Sequence, residues 1–118
     1  MVLKTYLIMT TLAMLAIGWT ATSKDSICGL KNVKTVSNPA VINWNSAIDE
    51  TQEVKTINRK KISKTSPQGV ILMQRAKDRV TKGSVSVMKS EGHDSVWKKI
   101  THKSKKAPDI TKKVVATY

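Results

Sequence analysis

The stretch that decides the fold runs from Gly69 to Tyr118 and reads GVILMQRAKDRVTKGSVSVMKSEGHDSVWKKITHKSKKAPDITKKVVATY. Its apolar residues first recur at a helical spacing, and this spacing ends near Gly92, a residue suited to the left-handed position after a helix. Just upstream, Ser66 is a good N-cap and Pro67 suits the first helical position. The pattern therefore predicts one long helix over residues 67–91.

The remainder of this stretch predicts two shorter elements. Gly83 weakens the second half of the long helix by roughly 1 kcal/mol, so we expect fraying there. Residues 94–100 alternate in polarity, which predicts a short strand with Val96 and Ile100 on one face. Asp109 follows a basic loop and is placed to cap a final helix of about two turns.

Two elements are predicted upstream of the long helix. Residues 40–44 combine β-branched and aromatic side chains, which favours a short strand. A helix opens at Ser46 with a variant of the capping box, and it forms a hairpin with the long helix. Residues 24–39 contain several helix and strand breakers and predict a flexible lead-in. If the two strands share a sheet, Trp44 and Trp97 can pack on one helix.

The predicted fold class is α+β, a small sheet packed with helices. A chain of 118 residues has room for one modest core. We therefore expect a signal peptide at residues 1–23, the lead-in at 24–39, and a single body domain over residues 40–118.

The first 23 residues have the pattern of a secretory signal peptide. Lys4 supplies the positive charge, an apolar run follows from Tyr6, and small residues precede Lys24. The apolar run is shorter than the roughly 20 residues needed to span a bilayer, and an uncleaved anchor is the alternative. The pattern predicts a periplasmic or secreted protein.

Two cleavage positions fit the small-residue rule for signal peptides. The first choice places Ala21 and Ser23 at the −3 and −1 positions, so that the mature chain begins at Lys24. The second choice is cleavage after Gly18, with Ala16 at the −3 position.

Positive charge is concentrated in the second half of the chain. The formal net charge is +13, and residues 54–118 hold 17 basic residues against four acidic ones. Such a half attracts polyanions: nucleic acid, anionic lipid head groups or an acidic partner protein. The alternative is a solvated surface that keeps a small protein soluble.

The densest group of positive charges is the candidate binding site. It consists of Lys98, Lys99, Lys103, Lys105 and Lys106. The group lacks the arginine and interleaved aromatic residues of a nucleic-acid site, so we do not expect nucleic acid as the partner. Anionic lipid or an acidic stretch of a client protein requires only charge. A plain solvated loop is the alternative.

The sequence contains no pattern typical of a catalytic, cofactor or metal site. Motifs such as GxSxG, HExxH and the glycine-rich phosphate loop are absent, so we expect neither an enzyme nor a cofactor. His93 and His102 have no thiolate near them and make a poor metal pair. Cys28 is the sole cysteine, which leaves either pairing between chains or an incidental thiol.

Four short motifs resemble the Skp/OmpH family of periplasmic chaperones. At the front, Val41-Ile42-Asn43 resembles the family's first strand, and residues 47–51 (AIDET) resemble the start of its first helix. At the end, residues 92–96 (GHDSV) and 109–114 (DITKKV) match its Gly-Tyr-Asp-x-Val strand and Asp-Ile-Thr-x-x-Val helix.

The resemblance implies a holdase for unfolded outer-membrane or periplasmic proteins. It also implies a homotrimer assembled through the strands of the body. The family's long coiled-coil arms are strongly shortened here, because only the turn at Ser66 lies where they would extend. The competing hypothesis is a secreted cationic protein that acts on anionic membranes or other polyanions without chaperone activity.

Overall fold

The computed structural model describes residues 18–118, so most of the predicted signal peptide lies outside the described residues. The fold is α+β, as predicted from the sequence. The strands and α-helices of the described part are β1 (Ser26–Gly29), β2 (Pro39–Val41), α1 (Trp44–Asp49), α2 (Gln52–Lys60), α3 (Pro67–Glu91), β3 (Ser95–Trp97) and α4 (Thr111–Val115).

Strand β3 is the centre of a three-stranded sheet with the order β1-β3-β2. It runs antiparallel to β1 and parallel to β2, and Val96 lies opposite both Cys28 and Ala40. The prediction of a flexible lead-in is wrong for β1, which lies within residues 24–39. Its strand partner is far away in sequence, so no local signal marks it.

The sheet separates two apolar cores. The larger core lies between the sheet and the helices, and its fully buried members include Ala40, Ala76, Val80, Val96 and Val114. The smaller core lies on the other face and consists of Val36, Trp97, Ile100 and Ala107, with Trp19, Ala21, Val33 and Val41 packed against them.

Two expectations about the strand faces are wrong. The two tryptophans do not share a helix, because Trp97 lies in the smaller core and Trp44 begins α1 instead of ending a strand. Val96 and Ile100 lie in different cores, because β3 ends at Trp97 and the chain changes direction before Ile100.

The predicted first helix is divided into α1 and α2. Asn43, and not Ser46, caps α1, and the Asn43 side chain accepts a hydrogen bond from the Ser46 N–H at 3.1 Å. At the break, the Thr51 hydroxyl donates to the Ile48 carbonyl at 2.6 Å and accepts from the Val54 N–H at 3.3 Å. Thr51 is fully buried, so this one hydroxyl both ends α1 and caps α2 inside the core.

The predicted limits of α3 are confirmed. The Ser66 hydroxyl accepts from the Gly69 N–H at 3.1 Å, and Gly92 takes the left-handed conformation with φ of 75°. The helix is not interrupted at Gly83, where α4 approaches its backbone. A Cβ atom at that position would lie 2.6 Å from Thr117 Oγ1 and 3.0 Å from Val114 Cγ1, so the glycine permits this close packing.

A chain of hydrogen bonds connects the sheet to the segment before β2. The indole N–H of Trp97 donates to the Ser95 hydroxyl at 2.8 Å, and that hydroxyl donates to Asp94 Oδ1 at 2.9 Å. Asp94 Oδ2 accepts the backbone N–H groups of Ser37 at 2.7 Å and Asn38 at 3.0 Å. Partial burial alone would raise the pKa of Asp94, but these hydrogen bonds to the charged form outweigh burial and lower the pKa.

We expect Asp94→Asn to lower the melting temperature at pH 7, because an amide cannot replace the carboxylate as a charged acceptor of these bonds. A pKa lowered in the folded state stabilises the protein above the ordinary value of 3.8, and this stabilisation is lost as the pH falls through the folded-state value. Thermal unfolding at pH 7 and pH 3 should therefore show a smaller difference between variant and parent at pH 3.

The matched control is Asp49→Asn, which removes an exposed carboxylate that has no hydrogen-bond partner among residues 18–118. This variant should melt close to the parent at pH 7. A difference for Asp94→Asn that is equal at both pH values would show that its charge does not stabilise the fold.

Candidate anion-binding surface

The lysine loop, residues 98–108, is held against the body of the protein at three points. Ile100 and Ala107 are buried in the smaller core. Thr101 and Thr20 exchange two backbone hydrogen bonds, at 2.8 and 2.9 Å, and form an isolated antiparallel bridge. Apolar burial therefore fixes the loop near both ends, and backbone pairing at Thr101 reinforces the first of these anchors.

His102 organises the turn within the lysine loop. Its Nδ1 accepts the backbone N–H groups of Ser104 at 3.0 Å and Lys105 at 3.1 Å. The ring also packs against Trp19, with 4.8 Å between the ring centroids. His102 therefore stabilises the turn of the loop, and the sequence does not reveal this role.

The five lysines of the candidate site all have exposed side chains. The ion pairs found within residues 18–118 use other cations, namely Lys55, Arg79 and Lys113. None of the five lysines therefore forms an ion pair with a carboxylate of the described part.

Lys98 differs from the other four lysines because it contacts an aromatic ring. Its ammonium nitrogen lies 4.8 Å from the ring centroid of Trp44, an arrangement worth about 0.5–1 kcal/mol at an exposed site. The two side chains line an open groove of about 540 Å³ together with Asn43, Asn45 and Asp109. This groove contains both the positive Lys98 and the negative Asp109. The group available for an anionic partner is therefore the other four lysines of the candidate site.

A second basic surface follows one side of α3 and was missed by the sequence analysis. Arg75, Arg79 and Lys82 line an open groove of about 870 Å³, which also contains one carboxylate, that of Asp78. Their i, i+4, i+7 spacing is the signal that could have revealed it. Arg79 is engaged, because its Nε lies 2.7 and 3.1 Å from the two carboxylate oxygens of Glu53, whose side chain is 8% exposed.

The Arg79–Glu53 pair connects the two arms of the helical hairpin. The hydrogen bond that Arg79 donates to Glu53, followed by the negative charge of Glu53, raises the pKa of Arg79. Glu53 lies in the first turn of α2. Arg75 and Lys82, which form no ion pair within the described part, remain available to an anionic partner.

Cys28 is packed within the fold. It lies on β1, and its Sγ is 3.9 Å from the Met88 Sδ on α3. Burial raises the pKa of the Cys28 thiol to about 11, so the reactive thiolate is scarce at neutral pH. This environment favours the incidental thiol over pairing between chains.

Residues 18–118 contain no group of three or more histidine, cysteine, aspartate or glutamate side chains that could hold a metal ion. The two histidines belong to different elements: His93 follows the end of α3, and His102 lies in the lysine loop. Within the same residues, no helix has both the length and the apolar character needed to cross a membrane.

Comparison of the chain with protein-family models, curated proteins and solved structures finds no match. The resemblance to the Skp/OmpH family therefore depends on its four short motifs. In this structure some residues of those motifs have local structural roles, such as Asp94 in the hydrogen-bond chain and Gly92 at the end of α3.

The prediction that Asp109 is the N-cap of the last helix is wrong by one residue, although its carboxylate still binds the start of that helix. The N-cap of α4 is Ile110, but Asp109 Oδ1 accepts the Thr111 N–H at 2.8 Å and the Thr111 hydroxyl. Thr111 Oγ1 in turn accepts the Asn43 N–H at 2.9 Å, which connects the starts of α1 and α4.

We expect Asp109→Ala to lower the free energy of unfolding by about 1 kcal/mol, as for the loss of a helix cap. Asp109→Asn keeps an acceptor oxygen and should cost less. Chemical denaturation measures both. A stability-neutral Asp109→Ala that loses binding to anionic vesicles would instead assign Asp109 to a ligand site.

Proposed function

We propose that this protein is an exported binding protein, without catalytic activity, whose lysine loop attaches to anionic membrane surfaces. The observation that carries the proposal is the loop itself, which is anchored by burial and backbone pairing while its lysines stay exposed. The leader sequence supports a periplasmic or secreted location.

The charge density of the loop suits a close, flat anionic partner. At physiological salt the Debye length is about 8 Å, so the lysines act together only on a partner that comes near. Each lysine close to an anionic lipid surface contributes about 1 kcal/mol. Three or four of them together account for a binding difference of about two orders of magnitude or more.

We expect the triple variant Lys103→Gln, Lys105→Gln, Lys106→Gln to bind anionic vesicles up to about 100-fold more weakly than the parent. Its salt dependence should be flatter, because fewer counterions take part. Co-sedimentation with vesicles of phosphatidylglycerol and phosphatidylcholine, over a range of salt concentrations, measures both effects.

The matched control is Lys60→Gln, Lys64→Gln, Lys77→Gln, which makes the same change in net charge at exposed positions on the helical hairpin. This control should retain most of the binding. Equal losses of binding in the two triple variants would show that net charge, and not the loop, causes the effect. Unchanged binding in the loop variant would show that the loop is only a solvated surface.

The second candidate function is that of a periplasmic holdase for unfolded outer-membrane or periplasmic proteins. Val70 and Ile71, at the start of α3, are 55% and 53% exposed and could meet apolar segments of a client. The hairpin is short, since the nine residues of α2 span only about 13 Å. A homotrimer through the sheet is the corresponding assembly, and within residues 18–118 no second strand pairs with β1.

If the holdase function is correct, the parent should suppress aggregation of an unfolded outer-membrane barrel and Val70→Gln, Ile71→Gln should not. Light scattering during dilution of the barrel from urea gives the measurement. Leu30→Gln is the control, because Leu30 is 41% exposed but lies after β1, outside the hairpin. A salt-sensitive monomer that leaves barrel aggregation unchanged would favour membrane attachment alone.

A further inference from the structure

Residues 19–21, which precede β1, form part of the folded body. Thr20 pairs with Thr101 through both backbone groups, and Trp19 packs on His102. Ala21 packs against the smaller core. Cleavage before Lys24, the first choice from the sequence, would remove all of these contacts.

Gly18 is exposed, and a Cβ atom built on it would have no heavy atom within 4 Å. Thr22 is already engaged, because its carbonyl accepts the Asp25 N–H at 3.0 Å and its hydroxyl donates to the Asp25 carboxylate at 3.0 Å. Within the described residues, contacts with the body are therefore seen from Trp19 onward, next to the exposed Gly18.

We propose that an export peptidase hydrolyses the peptide bond between Gly18 and Trp19. Water adds across this bond, so that Gly18 leaves with a carboxylate and Trp19 gains the free α-amino group. Ala16 and Gly18 are the small residues that such peptidases need at the −3 and −1 positions. This site keeps residues 19–22, which hold the lysine loop in place.

This proposal rests on export as stated under the proposed function, and it adds a consequence for the lysine loop. The new α-amino group belongs to Trp19, whose ring packs on His102 within the loop. Processing at this bond therefore leaves the loop anchored and adds an ionisable amine close to its lysines. Cleavage before Lys24 would remove the bridge to Thr101 and expose one side of the smaller core.

The test is the intact mass of the full chain after expression in a bacterium and recovery from the periplasm. We expect a mature protein that begins at Trp19. Gly18→Leu should block this cleavage, whereas Ser23→Leu, which alters the −1 residue of the other position, should not. A mature chain that begins at Lys24, or blocked processing in Ser23→Leu alone, would overturn the proposal while leaving export intact.

A second measurement tests the structural premise. Chains that begin at Trp19 and at Lys24 are compared by thermal unfolding, and we expect the longer one to melt at a higher temperature. Failure of the shorter chain to fold supports the same conclusion. Equal melting temperatures would overturn the premise, and recovery of only uncleaved chain would overturn both this proposal and export.

Discussion

The hydrogen bonds that connect Trp97, Ser95 and Asp94, the first buried and the second partly buried, are the constraint on which the rest of the structure depends. Strand β3 has only three residues, too few for its ladder bonds alone to secure a central strand. The polar chain satisfies its buried side chains and fastens Asn38, just before β2, to the start of β3. With β3 fixed, Val96 and Trp97 point to opposite faces, and each organises one core.

The sequence predicts those features whose physical cause is local. Ser66 and Gly92 mark the limits of α3 because a cap and a left-handed stop depend on a few neighbouring backbone groups. Strand β1 was missed because its identity depends on pairing Cys28 with the distant Val96. The break between α1 and α2 was missed because Thr51 is ordinary in sequence, and only its burial makes its hydroxyl decisive.

In the candidate site, too, the features with a local cause could be predicted and those that depend on tertiary packing could not. Exposure of the lysines could be predicted, because an unpaired ammonium group is costly to bury. The contact between Lys98 and Trp44 could not, because Trp44 has the pattern of a strand residue and its role in α1 depends on tertiary packing. The anchors Trp19 and Thr20 were assigned to the leader by composition, since small and apolar residues suit both a leader and the edge of a core.

The lysine loop combines mutual repulsion with a fixed position. Several like charges within a few residues repel one another, and a loose loop would relieve that repulsion by spreading. Burial of Ile100 and Ala107, together with the bridge between Thr20 and Thr101, prevents this and keeps the charges together. A loop that is already held in place loses less conformational entropy when a partner binds, so the anchors favour association without touching the partner. If the chain is cleaved as proposed, cleavage after Gly18 keeps Thr20 and this advantage, whereas cleavage before Lys24 removes both.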